Sequence, residues 1–200
     1  MKTYFYFVLI GLLLAFKISY SQDDCWSLEK FPRMDMQLLI DSVKGPKELD
    51  NYEIAIDKYY ESMLNCKMPK LDAVTLHGDS ITNKSLMGKV VVINFWFIGC
   101  RPCEEEIPYL NSIQQHFKGK DVEFIAITYN NKKDVKRFIK EKHFKYKMIV
   151  EGVKYCYSFM VGGYPKVYIF DKENRFKRMY FNIRFLGDQE VIENEIKELL

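Results

Sequence analysis

Histidine is scarce in this chain: His77, His116 and His143 are the only three, dispersed, and none has a partner that would make it a catalytic base. The five cysteines include one close pair, so the four ligands of a zinc site are not assembled, and no metal or cofactor is expected. Surplus charge is lacking as well. The formal net charge is +3, and about +1 without Lys2 and Lys17, with both signs interleaved, which is no footprint for nucleic acid. The Lys-rich stretch from Lys132 to Lys147 reads as a solvated helix face. Internal repeats and low-complexity segments are absent from the sequence. No apolar run reaches the ~20 residues that a membrane span needs.

The beginning of the chain has an address instead. Lys2 precedes an apolar block from Tyr4 to Phe16, and Lys17-Ile18-Ser19-Tyr20-Ser21 follows. A short basic start, an apolar stretch too short to span and small residues before a cut after Ser21 are the parts of an export signal. Residues 1–21 are therefore expected to be a signal peptide, and the protein to be exported to the periplasm or cell envelope of a bacterium, with no stable span once the signal is cut. An uncleaved anchor is the alternative, disfavoured by Lys17. Cys25 is not a lipoprotein cysteine, because Ser21-Gln22-Asp23-Asp24 lacks the small and aliphatic residues of a lipobox.

The chemistry is concentrated at residues 95–108, Phe-Trp-Phe-Ile-Gly-Cys-Arg-Pro-Cys-Glu-Glu-Glu-Ile-Pro. An apolar run from Val90 to Phe97 has the composition of a buried strand, and the acidic residues after Cys103 favour the positive end of a helix dipole. Cys100 is thus placed at a helix N-terminus, where amide donors and positive potential favour a thiolate. Cys103 follows about one helical turn later, close enough to close a disulfide. Reversible thiol–disulfide exchange is the indicated chemistry, and Arg101 is expected to lower the Cys100 pKa further. A purely structural disulfide is the competing reading.

Residues 22–66 read as a helical N-terminal extension, with Tyr52, Ile56, Tyr59 and Met63 on one face and Gly45-Pro46 breaking the stretch. Val74–Leu76 and Ser80–Thr82 flank His77-Gly78-Asp79 as a small hairpin. Residues 67–200 then form one α/β domain. Strands are expected at Val90–Phe97, Val122–Thr128, Tyr146–Val150, Lys166–Phe170 and Phe176–Phe181, the last two joined by a turn at Asp171–Asn174. Helices are expected at Arg101–Phe117 and Asn131–His143, and a closing one carries Val191, Ile192, Ile196, Leu199 and Leu200. That order implies a mixed central sheet with helices on both faces. Cys25 and Cys66 flank the extension and are candidates for a stapling disulfide, and Cys156, among Tyr155, Tyr157 and Phe159, reads as a buried small hydrophobe.

Four features in order, the Asn94-Phe95-Trp96 strand ending, Cys100-x-Pro102-Cys103, Glu106-x-Pro108 and Gly163-Tyr164-Pro165 before a strand, give Lys67–Leu200 a resemblance. The segment resembles the TlpA/ResA type of exported bacterial thiol–disulfide oxidoreductase, within the AhpC/TSA–redoxin superfamily. The resemblance implies a thioredoxin-like fold. It implies that Cys100 is the attacking nucleophile and Cys103 the more buried resolving thiol. Glu106 matches the residue that manages protons near the thiols. Pro165 matches a cis-proline lying against the disulfide, Tyr164 offers its backbone to substrate, and Trp96 matches the aromatic beside the active-site strand; these three are the substrate-binding candidates. Implied partners are protein disulfides or dithiols of the envelope, with a membrane electron-relay protein as reductant. Net flow is then reduction, the haem-attachment cysteines of apocytochrome c being among the family's substrates.

Two departures stand out. Gly99 occupies a position usually aromatic, which leaves the lip of the site less hydrophobic. Asn94 stands where thioredoxin has a buried Asp, and since Asn cannot accept a proton the burden falls on Glu106. A peroxiredoxin-type thiol peroxidase is an alternative, but its Pro-x-x-x-Thr/Ser-x-x-Cys loop is missing before Cys100. A non-enzymatic envelope binding module with a structural disulfide is the other.

Overall fold

The computed structural model describes residues 25–26, 60–181, 183 and 186–200. The expected signal peptide (1–21) and most of the expected helical extension, including Tyr52, Ile56 and Tyr59, lie outside the described residues.

Val90–Phe95 forms the central strand β3, all six residues buried, as expected for a strand covered on both faces. It follows a small antiparallel pair, β1 (Asp72–Val74) and β2 (Ser80–Thr82), and a one-turn helix α1 (Asn83–Leu86) whose N-cap is Thr82. After β3 come α2 (Arg101–His116), β4 (Val122–Ile127), α3 (Lys132–Lys142), β5 (Lys147–Ile149), α4 (Val153–Ser158), β6 (Lys166–Phe170), β7 (Phe176–Tyr180) and α5 (Leu186–Leu199). The main sheet runs β5-β4-β3-β6-β7, parallel from β5 to β3 and antiparallel from β3 to β7. This is the mixed, helix-flanked sheet the sequence pattern implies.

Strand alternation divides the core into two. Val90, Val92 and Trp96 face Ile107, Leu110 and Ile113 of α2, Val135 and Phe138 of α3, and Ile192 and Ile196 of α5. Val91, Ile93, Phe95, Tyr168 and Phe170 face the other way, against Leu86 of α1, Tyr155 of α4, Phe159, Leu71 and Met63. Trp26 joins this second layer, its ring among Phe159, Tyr168, Phe170 and Phe176 at centroid distances of 5.7–6.2 Å. Its indole N–H donates to the Lys67 carbonyl (2.7 Å). Cys25, next to it, is bonded to Cys66 at 2.08 Å.

The clasp closes a loop of 41 residues, which in the chain-entropy account stabilises by about 4 kcal/mol. Cys25→Ser is expected to lower the urea midpoint of the oxidised protein accordingly. An unchanged midpoint would mean that the bond contributes nothing to stability.

Several boundaries differ from the sequence expectation for identifiable reasons. The hairpin is shifted to Asp72–Val74 because the Leu76 N–H instead bonds the Met148 carbonyl (2.7 Å) at the edge of β5. β3 ends at Phe95 because the chain turns there, the Cys100 N–H returning to the Phe97 carbonyl (3.2 Å). Among the described residues no helix is long and apolar enough to cross a membrane.

Candidate active site

Cys100 is the N-cap of α2, and its sulfur accepts the Cys103 amide N–H at 3.3 Å. Pro102 in the first turn has no N–H to waste, and Glu104 complements the dipole there. Gly99 has φ +92°, a left-handed conformation in which a side chain would be strained. Cys100 and Cys103 are joined, with Sγ atoms 2.04 Å apart. Cys100 is 6% exposed and Cys103 2%, so both sulfurs are covered and Cys100 has the small opening. Arg101 does not turn to the disulfide. Its Nε pairs with Glu105 Oε1 at 2.8 Å on the open surface, which leaves little of its charge for the sulfurs.

Behind the disulfide lies a buried carboxyl. Glu106, 1% exposed, is one turn beyond Cys103 on the inner face of α2. Oε1 is 2.6 Å from the Asn94 amide nitrogen, and Oε2 accepts the Ile183 N–H at 3.1 Å. Burial pushes its pKa up to about 8, against the two hydrogen bonds, which favour the anion. Below that pH it carries a proton. Turning the Asn94 amide about would set its otherwise unpartnered carbonyl oxygen against the carboxyl O–H, and 2.6 Å is a typical O–H···O distance. Tyr146 is buried nearby, its own pKa raised by burial and by the Glu106 charge.

The Tyr164–Pro165 peptide is cis and immediately precedes β6, which pairs antiparallel with β3 so that Lys166 lies opposite Phe95. Pro165 therefore sits at the same end of the sheet as the cysteines. The Tyr164 hydroxyl lies beside the Cys156 thiol, and burial pushes both groups upward in pKa. Cys156 is buried and not in a disulfide. Lys166, the next residue, is 2% exposed with Nζ 2.5 Å from the Tyr60 hydroxyl, and burial lowers its pKa to about 8.

Trp96 requires a correction. The resemblance puts it among the substrate-binding residues, but its ring is 1% exposed and packed on Phe138 (4.8 Å) and Phe144 (5.7 Å). Strand alternation turns it into the α2–α3 layer, so it supports the site from behind. The more open aromatics of the site are instead Phe97, Tyr129 and Tyr164, of which sequence reasoning missed the first two. Their only signal in the sequence is their position just after β3 and β4. Asn94 was legible as a buried polar residue of the active-site strand; the Ile183 amide and Tyr146 were not. No group of three or more metal-ligating side chains occurs among the described residues.

A disulfide at the N-terminus of a helix, a cis-proline at the facing strand and a mixed sheet between helix layers define a thioredoxin-like protein with a redox-type Cys-x-x-Cys. Comparison with known proteins places it more closely. The AhpC/TSA family profile matches residues 64–179, and the chain belongs to that family. It is 35% identical over 109 residues to a thiol-disulfide oxidoreductase ResA of Bacillus cereus, covering 54% of this chain and 63% of that protein. The chain thus spans less than two thirds of that relative's length. Among solved structures, a putative thiol:disulfide interchange protein DsbE from Chlorobium tepidum superposes with a TM-score of 0.62 at 20% identity, over 68% of this chain and 96% of that one. A putative protein disulfide isomerase from Bacteroides thetaiotaomicron gives 0.61 at 20% identity, over 68% and 89%. At such identities the two structures attest the fold alone.

Proposed function

We propose that the protein is a thiol–disulfide oxidoreductase that acts through Cys100 and Cys103 on protein disulfides of the cell envelope, after export. The observation that carries this reading is the Cys100–Cys103 bond at the α2 N-cap with the buried, proton-bearing Glu106 one turn behind it. In the reduced protein the Cys100 thiolate attacks one sulfur of a substrate disulfide. A mixed disulfide forms, and the first substrate thiolate leaves and takes a proton. Cys103 then loses its proton and attacks the Cys100 sulfur, re-forming the Cys100–Cys103 bond and releasing the second substrate thiolate, which is protonated in turn. Two electrons pass to the substrate. A dithiol reductant, the electron-relay protein of the resemblance, returns them by the reverse exchange.

In its ionised form, which becomes populated as pH rises toward about 8, Glu106 accepts the Cys103 proton. Its pKa of about 8 is close to that of a free thiol, so transfer between them is nearly balanced in energy. The Tyr164–Pro165 backbone offers the substrate chain an edge beside Cys100. Net reduction, with cytochrome c maturation among the uses, follows from the TlpA/ResA resemblance.

Trapping tests this. A Cys103→Ala variant expressed with its signal is expected to accumulate mixed disulfides through Cys100, and mass spectrometry of the adducts names the substrates. Absence of adducts, while the wild-type protein exchanges disulfides in vitro, would contradict the order of attack.

A further inference from the structure

Three aromatic rings meet at the end of the sheet that carries the disulfide. Phe97, three residues before Cys100, stacks on Tyr129 at 5.5 Å and meets Tyr164 edge-on at 5.2 Å, and the Tyr129 and Tyr164 rings are 6.1 Å apart. The rings come from the loops after β3 and β4 and before β6, which the strand directions bring to one end of the sheet. The loops are tied together. The Ile98 N–H donates to Asn130 Oδ1 (2.9 Å), which also receives the Thr128 hydroxyl (2.8 Å).

This cluster is open to solvent on one side: Tyr129 is 43% exposed, and Tyr157 of α4, near enough to raise the Tyr164 pKa, is 76% exposed. A Cβ built on Gly99 meets nothing within 4 Å, so the space beside Gly99 is open.

We propose that Phe97, Tyr129 and Tyr164 form a substrate-selecting platform for an aromatic or large aliphatic side chain close in sequence to the substrate's reactive cysteine. The inference rests on the exchange reading above. The occupant is an extended polypeptide, because Phe97 is three residues before Cys100, whose N–H bonds the Phe97 carbonyl (3.2 Å), and Tyr164 adjoins the cis Pro165 edge. A chain whose sulfur reaches Cys100 lays its neighbouring residue on these rings. Rings pre-packed on one another lose little freedom on binding, so the contact acts on affinity with small entropic cost. Phe97 and Tyr129 are then specificity-determining residues, whereas Cys100 and Cys103 do the chemistry.

The test uses two peptides, each carrying one cysteine as a mixed disulfide with glutathione and differing only in Phe or Ser beside that cysteine. Reduced wild-type protein is expected to react about ten-fold faster with the Phe peptide. In Tyr129→Ser that ratio is expected to fall to about two or less. A wild-type ratio near one, or a ratio that Tyr129→Ser leaves intact, overturns the platform. Glutathione disulfide, which has no such side chain, separates the two claims. If the wild-type protein reduces it but does not discriminate between the peptides, only the platform fails; if it does not reduce it, the exchange reading fails too.

Discussion

Cys100→Ser is expected to lose thiol–disulfide exchange by at least about 10³-fold, measured as reduction of glutathione disulfide by the pre-reduced protein. The loss is chemical rather than structural. Ser is among the best N-cap residues, so its hydroxyl can take over the acceptance of the Cys103 amide and α2 keeps its start. What disappears is a thiolate able to attack sulfur. Cys103, at 2% exposure beneath it, cannot meet an incoming disulfide in its place. A Cys100→Ser protein that retained exchange within about ten-fold of wild type would mean that Cys103 is the attacking group.

Glu106→Gln is expected to have the second large effect, and it is legible in two independent readouts. Gln keeps an oxygen to accept the Ile183 N–H but cannot take a proton. Exchange above pH 8, where the wild-type carboxyl is ionised and can accept the Cys103 proton, is expected to fall about 10²-fold, and the inflection near pH 8 to disappear. Stability should move the other way. In the folded protein Glu106 holds its proton up to about pH 8, whereas in the unfolded chain it ionises near its ordinary value of 4.5. Between those values the folded state binds more protons, so stability falls as pH rises through the window and levels off above it. The full effect is on the order of 5 kcal/mol. Glu106→Gln removes this slope and is expected to be the more stable protein at pH 8. Denaturation midpoints at pH 5 and pH 8 for both proteins check the sign: a wild-type protein that is no less stable at pH 8 contradicts the buried, proton-bearing carboxyl.

Much of this is readable from the chain because its signals are local. Lys166–Phe170 is placed to the residue, since a run of β-branched and aromatic residues between a Gly-Tyr-Pro turn and Asp171 has one reading. Cys100 at the start of α2 follows from an apolar run meeting acidic residues. The short α4 has no comparable signal, with only six residues and a Gly152 N-cap without a side-chain bond. The misjudged role of Trp96 has a different cause. The TlpA/ResA resemblance implies substrate contact, but β3 alternation directs it inward, and Phe138 and Phe144 fill the space around it. Contacts between distant residues are out of reach of the sequence. Asn94, Glu106 and the Ile183 amide meet only when β3, α2 and the segment before α5 are packed together, and Phe97, Tyr129 and Tyr164 meet only at the common end of three strands.

Equilibrium titration of the protein in glutathione buffers decides most directly whether Cys100–Cys103 is a working redox pair or a staple. Reversible equilibration of this pair, followed by thiol labelling of Cys100, is expected, with a potential above about −300 mV. A Cys100–Cys103 bond that stays closed across the series, with a potential below about −300 mV and no exchange, would contradict it.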